Sequence, residues 1–192
     1  MEHLDTAALA AGLGHIRQSP SNVGTLDLIV ARPAVGERSV LEQAELSLTT
    51  GLVGDTWRDR PSTRTTDGGP HPDMQLNVIN ARLSSHIAPD VDQRALFGDQ
   101  LHVDLDLSRE NLPAGTRLTI GGAVIEITDQ PHTGCAKFRA RFGGEALKFV
   151  NTGEGKALRL RGINAKVVQP GPIATGDTVR KLDVRAASSA AR

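Results

Sequence analysis

The stretch 129–139 contains the residues with the clearest capacity for chemistry, because it includes Cys135, the only cysteine among the 192 residues. Residues 123–128 before it alternate and are rich in β-branched side chains, which is typical of a strand. Pro131 ends this strand, since proline lacks a backbone N–H and disfavours helix at the preceding residue. The sequence therefore predicts that Cys135 lies in a turn just past a strand end.

Three positive charges follow the cysteine within six residues, at Lys137, Arg139 and Arg141. Basic groups near a thiol favour the thiolate, so an exposed Cys135 should be more reactive than a free cysteine. The alternative is that Cys135 is a small buried hydrophobe, since free cysteine is among the most buried residue types. His132, three residues earlier, can act as a base or a hydrogen-bond donor, or simply point to water. The residues alone leave these alternatives open.

The overall composition argues against several classes of partner. Lys and Arg total 22 and Asp and Glu total 22, so no charge excess attracts nucleic acid. No segment approaches the ~20 consecutive apolar residues that span a bilayer, which predicts a soluble protein without a membrane partner. One cysteine cannot form an intramolecular disulfide, and the N-terminus lacks the features of a secretory signal. The predicted location is the cytoplasm.

The hydrophobic pattern predicts one domain with a short lead-in. Residues 1–23 hold an N-terminal helix over 4–16, residues 24–182 form the domain, and the Ala/Ser-rich tail 183–192 is predicted to be disordered. The segment 101–107 alternates strictly and predicts a strand with one solvated, acidic face. Strands are predicted at 24–32, 39–48, 75–79, 101–107, 117–120, 123–128, 163–168 and 177–182.

The connections between these strands complete the predicted architecture. Gly121 and Gly122 form a two-residue hairpin, Asn80 caps a helix that reaches Ile87, and 170–172 is a turn. Two short helices, 136–142 and 145–150, follow the cysteine. Many short strands with a few inserted helices predict a mostly β fold, a barrel with helical insertions.

Loops at one barrel end are candidates for the site. We expect the segments 51–57, 129–139 and 159–164 to meet there, because their polar residues follow or precede strands. The long segment 58–73 is either functional or mobile. Its His71 and Asp73, with Asp55 nearby in sequence, match no strong metal-ligand spacing, and an ordinary solvated loop is the preferred interpretation.

Five short motifs, arranged in order around Cys135, resemble the MOSC domain, the family named after the C-terminal domain of molybdenum cofactor sulfurase. They cover the family patterns Gly-x-x-Gly-Asp, Gly-Glu-Asn-Leu, Leu-Pro-x-Gly-Thr-x-Leu-x-Ile-Gly, Arg-Gly-x-x-Ala-x-Val and Gly-Asp-x-Val, at 51–55, 98–101, 112–121, 161–167 and 176–179. Asp99 and Gln100 stand where the family has glutamate and asparagine, and Trp57 stands where a basic residue often follows. The resemblance extends over 24–182.

The resemblance implies a MOSC-type β barrel and a role in molybdenum and sulfur chemistry. In the first hypothesis Cys135 ligates the molybdenum of a molybdopterin cofactor, and the protein reduces N-hydroxylated substrates with an electron-donor protein. His132 would assist catalysis. The residues implied in cofactor binding are Thr133, Lys137, Arg139, Arg161, Asn164, Asp99 and Gln100.

Two other hypotheses compete with metal ligation. In the second, Cys135 is a sulfur carrier that receives a persulfide from a cysteine desulfurase, and pyridoxal phosphate enters only through that partner enzyme. In the third, the domain is a non-catalytic binding module with a buried cysteine and solvated basic residues. The sequence leaves open whether the protein is an enzyme.

Overall fold

The computed structural model describes residues 3–182 and places most of their strands in a closed barrel. Its strands are, in chain order, β1 Val23–Ala31, β2 Ser39–Leu41, β3 Gln43–Ser47, β4 Gly51–Leu52, β5 Leu76–Asn80, β6 Leu101–Asp104, β7 Arg117–Ile120, β8 Ala123–Ile127, β9 Ile163–Gln169, β10 Gly171–Ala174 and β11 Thr178–Lys181. Seven of them close a ring in the order β11-β7-β8-β9-β5-β6-β1, because β1 also pairs with β11. The predicted β barrel is confirmed.

Two features of the pairing shape the barrel. One edge of β1 pairs with β11 near Gly24 and then with β2 near Val30, so β2 extends the sheet beyond the ring. The strands β5 and β6 run parallel, while their other barrel neighbours are antiparallel. A separate sheet in the order β10-β3-β4 packs beside the ring. The Gly121-Gly122 hairpin joins β7 to β8 as predicted, with Ile120 opposite Ala123.

Besides two short 3-10 helices at Thr56–Asp59 and Pro72–Met74, six α-helices occur within residues 3–182 and lie outside the barrel. They are α1 Thr6–Ala11, α2 Leu13–Arg17, α3 Ala81–Ile87, α4 Val91–Ala95, α5 Ala136–Asn151 and α6 Gly153–Ala157. The predicted cap of α3 is confirmed, since Oδ1 of Asn80 accepts a hydrogen bond from the N–H of Leu83 at 3.0 Å. The two helices predicted after Cys135 form one element with a kink at Gly143, whose φ of 92° is far from helical.

The apolar side chains form two main clusters. One fills the barrel and consists of inward-facing Leu, Ile and Val, with Leu26, Leu76 and Ile125 fully buried. The other lies between the barrel and the helices, where the rings of Phe97, Phe138 and Phe142 meet with centroids 4.2–5.6 Å apart. This aromatic cluster fixes α5, and with it the position of Cys135, against the barrel.

The predicted wet face of segment 101–107 is confirmed at Asp104 and Asp106, which are half-buried, and is wrong at His102. The strand β6 is shorter, and His102 on the supposedly solvated face is fully buried because α3 packs over it. Nδ1 of His102 lies 2.8 Å from Oγ of Ser84. Burial, together with the charges of Arg94 and Arg161, outweighs the raising effect of Asp99 and lowers the pKa of His102 to about 4. His102 is therefore neutral at pH 7.

Other boundaries also differ from the sequence prediction. Of the predicted turn 170–172, only Pro170 lies between strands, because Gly171 and Pro172 belong to β10, which pairs with β3 from Gly171 to Ala174. Proline is tolerated there because β10 is an edge strand. The predicted strand 39–48 divides into β2 and β3, while α4 and α6 were missed. The tail 183–192 lies outside the described residues. Across residues 3–182, no helix has the length and apolarity required to cross a membrane.

Candidate functional site

Cys135 lies at the start of α5, where the chain leaves the barrel end. Its thiol is free and exposed, and its backbone is extended, with helical geometry beginning at Ala136. The thiol borders a cleft of about 740 Å³, whose apolar wall includes Phe97 and Phe138. The loop position predicted from Pro131 is therefore confirmed, and the alternative of a buried cysteine is wrong.

The surroundings of Cys135 favour its thiolate. Partial burial raises the pKa of Cys135, but the backbone N–H groups of Phe138 and Lys137 and the charges of Arg161 and Lys137 outweigh this effect and lower it below the usual value. Neither N–H makes a hydrogen bond of normal geometry to the sulfur, so their influence is that of nearby dipoles. The result is an accessible thiol that ionises more easily than a free one.

This electrostatic setting predicts fast alkylation of Cys135. In the metal-free protein, the rate of reaction with iodoacetamide should rise with pH around a midpoint below the ~8.5 of a free cysteine, because the lowered pKa leaves more thiolate at neutral pH. Lys137→Gln should move that midpoint upward, and Arg139→Gln serves as the control. A midpoint at or above the free-cysteine value in the unmodified protein would contradict the prediction.

Positive charge is concentrated around the cleft. Six cationic side chains border it: Arg32, Arg38, Arg60, Lys137, Arg141 and Arg161. Arg32 and Arg161 are neutralised by buried carboxylates, whereas the other four have no carboxylate partner within residues 3–182. Burial and the charges of neighbouring arginines lower the pKa of both Arg38 and Arg60. Nε of Arg38 is buried and has no hydrogen-bond partner in the described part of the chain. The cleft is thus suited to an anion.

Asp99 is fully buried behind this cleft and bridges two site residues. Its Oδ2 accepts a hydrogen bond from Nη1 of Arg161 at 2.6 Å, and its Oδ1 lies 2.8 Å from Nε2 of His132. Burial raises the pKa of Asp99, but Arg161 and His132 more than offset this and hold it well below its usual range. Because an ionised carboxylate only accepts hydrogen bonds, Nε2 of His132 is the donor. The predicted direct cofactor contact at Asp99 is therefore corrected to a positioning role.

Gln100 and Asn164 are also buried completely and serve the framework. Gln100 accepts a hydrogen bond from the N–H of Asn77 at 2.8 Å and donates one to the carbonyl of Gln75 at 3.0 Å. Oδ1 of Asn164 accepts from Nδ2 of Asn77 at 2.6 Å, and its Nδ2 donates to the carbonyl of Gln130 at 3.2 Å. Asn164 lies on β9 rather than in a loop. Neither amide is free to contact a ligand, so their predicted binding roles are also corrected.

Arg32 was missed by the sequence analysis, although its partner Asp55 was noted. Nε and Nη2 of Arg32 donate to the two carboxylate oxygens of Asp55 at 2.6 and 2.8 Å, and both residues are buried. Nη1 reaches Oδ1 of Asn77 and the carbonyl of Gly98, each at 3.0 Å. This network ties three loops together beneath the cleft, so Asp55 organises the site instead of facing a ligand.

The remaining predicted site residues lie on two sides of the cysteine loop, which is the segment 130–135 that leads into α5. Lys137 is exposed and borders the cleft, whereas Arg139 is exposed and does not line it. Thr133 and His132 border a second, smaller chamber. In the long segment after Trp57, Asp73 pairs with Lys166 at 2.9 Å. No group of three or more His, Cys, Asp or Glu side chains suited to a metal ion occurs in the part of the chain that the structure describes.

Comparison with known families shows which family this domain belongs to. A family model of the MOSC domain matches residues 71–180, more than half of the 192-residue chain. The chain belongs to the MOSC domain family. The matched stretch of this MOSC domain contains Cys135 and Arg161, which border the cleft, and Asp99, which is buried behind it. No curated protein matches the chain by sequence.

Solved structures share the fold of this MOSC domain at low sequence identity. The YuaD protein from Bacillus subtilis is 14% identical, with a TM-score of 0.59 over 84% of this chain and 97% of its own. YiiM from Escherichia coli is 18% identical, with a TM-score of 0.53 over 83% of this chain and 70% of its own. At these identities the likeness concerns the fold alone.

Proposed function

We propose that this MOSC domain binds the molybdenum cofactor in the cleft, with Sγ of Cys135 as a ligand of the metal. The observation that carries the proposal is an exposed thiol, biased toward the thiolate, beside four cations that lack carboxylate partners within residues 3–182. A thiolate is a suitable donor for a soft metal–sulfur centre. The phosphate group of the cofactor would supply the counter-charge that these four cations lack.

The donors of the cleft fit an anionic cofactor. Arg38, Arg60 and Arg141 present guanidinium groups, which match phosphate oxygens in bidentate geometry, and Lys137 adds a mobile ammonium. The buried Nε of Arg38, without a partner among the described residues, is a donor that a ligand can satisfy. Arg161 forms part of the wall, but its Nη atoms already contact Asp99 and the carbonyl of Phe97. The phosphate contact expected from Arg139 and Arg161 is thus better made by Arg38 and Arg60.

The cleft also has room and an apolar surface for a substrate. Its volume of about 740 Å³ falls within the roughly 300–1,000 Å³ of typical ligand pockets. Phe97, Phe138 and Ala140 provide apolar surface that excludes water from one side. The bound cofactor supplies two-electron redox chemistry, for which we propose N-hydroxylated substrates and an electron-donor protein. The chain's own residues bind, orient and shield the reacting groups.

A sulfur carrier is the second candidate, and the exposure of Cys135 favours it equally. The Cys135 thiolate would attack the terminal sulfur of a persulfide on a pyridoxal-phosphate-dependent desulfurase. That sulfur would form a new S–S bond with Cys135, and the donor cysteine would leave as a thiolate. The third hypothesis required a buried cysteine, and the exposed thiol removes that premise.

The proposed cofactor site predicts that Arg60 is needed to retain molybdenum. The protein would be produced in cells that make the cofactor, purified under reducing conditions and analysed for molybdenum per chain. Arg60→Gln should weaken retention by roughly tenfold to hundredfold, because one charge-assisted hydrogen bond is worth about 1.5–3 kcal/mol. Arg139→Gln, which changes an exposed cation outside the cleft, is the matched control. Equal molybdenum in both variants, or none in the unmodified protein, would contradict the proposal.

A further inference from the structure

A second chamber lies beside the cysteine loop, and Cys135 does not line it. Its volume is about 360 Å³, and its walls include His132, Thr133 and Gly162. Arg161 borders both this chamber and the cleft, so its guanidinium lies in the partition between them. The two cavities are therefore neighbours with different polar groups.

The chamber carries an excess of positive charge. Arg109, Lys156 and Arg159 line it against a single lining carboxylate, Asp129. None of the three cations forms an ion pair within the described residues 3–182. Arg161 also lines the chamber, but Asp99 neutralises it at 2.6 Å. The excess amounts to about two positive charges, which would balance the two negative charges of a phosphate monoester dianion near neutral pH.

Two of these arginines are held in place in ways that suit a binding site. Nη1 of Arg159 donates to the carbonyl of Leu112 at 2.7 Å, which anchors its side chain at the chamber. Arg159 also has a φ of 51°, a left-handed conformation that few residues other than glycine adopt. Arg161 is only 7% exposed, and its Nε is buried without a hydrogen-bond partner in the described part of the chain. Arg161 thus forms a rigid part of the wall, fixed by Asp99 and by the Phe138 ring, whose centroid lies 5.2 Å from Cζ of Arg161.

We propose that this chamber binds a small phosphate monoester at a site separate from the Cys135 cleft. Guanidinium groups bind phosphate oxygens in pairs, and Arg109 and Arg159 supply two of them. The volume lies at the small end of the range for ligand pockets, which favours a compact ester. Thr133 and His132, whose Nε2 is engaged by Asp99, add neutral polar side chains to the wall of the chamber. The proposal does not depend on the molybdenum cofactor.

Calorimetric titration of the metal-free protein with inorganic phosphate, glycerol 3-phosphate and acetate at low ionic strength tests this site. We expect glycerol 3-phosphate to bind more tightly than the other two. Lys156→Gln and Arg159→Asn should each weaken its binding about tenfold or more. Asparagine is chosen because it tolerates a positive φ, and the exposed Lys156 provides a variant that does not threaten folding.

Two variants outside the chamber separate this site from the cleft. Arg139→Gln should leave the binding of glycerol 3-phosphate within about twofold of the unmodified protein, whereas Arg60→Gln reports any glycerol 3-phosphate that binds in the Cys135 cleft. If Arg60→Gln weakens binding and Lys156→Gln does not, the phosphate occupies the Cys135 cleft and the inference is overturned, while the proposed cofactor site gains support. Tighter binding of inorganic phosphate than of the ester, or equal binding of acetate, would also overturn it.

Discussion

Asp99→Ala is expected to lower the free energy of unfolding by about 3–5 kcal/mol, because it leaves Arg161 buried without its counter-charge. The side chain of Asp99 has no exposure, so water cannot replace the lost carboxylate. His132 also loses its hydrogen bond to Oδ1 at 2.8 Å. Urea unfolding at neutral pH, where Asp99 is ionised, measures the change.

A surface ion pair provides the matched control for Asp99. Asp27 bonds to Arg94 at 2.7 Å, but its side chain is 44% exposed, so Asp27→Ala should cost no more than about 1 kcal/mol. If Asp99→Ala does not fold, Asp99→Asn keeps the volume and one acceptor and should show a smaller loss in the same direction. Equal costs for Asp99→Asn and Asp27→Ala would show that the buried pair does not stabilise the barrel.

Much of the barrel could be predicted from the sequence because its signals are local. The Gly121-Gly122 hairpin, the Asn80 cap and the end of β8 before Pro131 each depend on a few neighbouring residues. The position of Cys135 follows from the same local rules. The order of the family motifs around it then indicated the closed fold.

The directions of the polar side chains could not be predicted in the same way. The motifs marked Asp99, Gln100 and Asn164 as important, yet all three are buried and bind to the framework. Alternation suggested a wet face at His102, but only the packing of α3 determines that this face is covered. Burial of this kind depends on residues far apart in the chain.

Three cations of the cleft, Arg32, Arg38 and Arg60, could not be predicted for a related reason. Arg38 and Arg60 come from loops that precede Cys135 by many residues, and no spacing rule connects them to it. Arg139 is closer in sequence, but it projects from α5 without lining the cleft. A count of basic residues near a cysteine therefore indicates its electrostatic setting, although it does not identify which cations share its cavity.

Cys135→Ser is expected to remove molybdenum from the purified protein while leaving the fold unchanged. The side chain is exposed and makes no helix-capping hydrogen bond, so its replacement should alter stability by no more than about 0.5 kcal/mol. A serine oxygen is a harder donor than a thiolate and suits a metal–sulfur centre poorly. Molybdenum per chain and the urea midpoint, measured on the same preparation, test both parts of this expectation.

The same variant separates a metal ligand from a sulfur carrier. Mass spectrometry after incubation with a cysteine desulfurase and cysteine would detect one added sulfur atom on Cys135 of a carrier and none on the serine variant. A carrier has no need for the unpaired cations of the cleft, so Arg60→Gln should reduce molybdenum retention only if the cofactor binds there. Sulfur loading at Cys135, with full retention of the pterin in Cys135→Ser, would replace metal ligation by sulfur transfer as the role of this thiol.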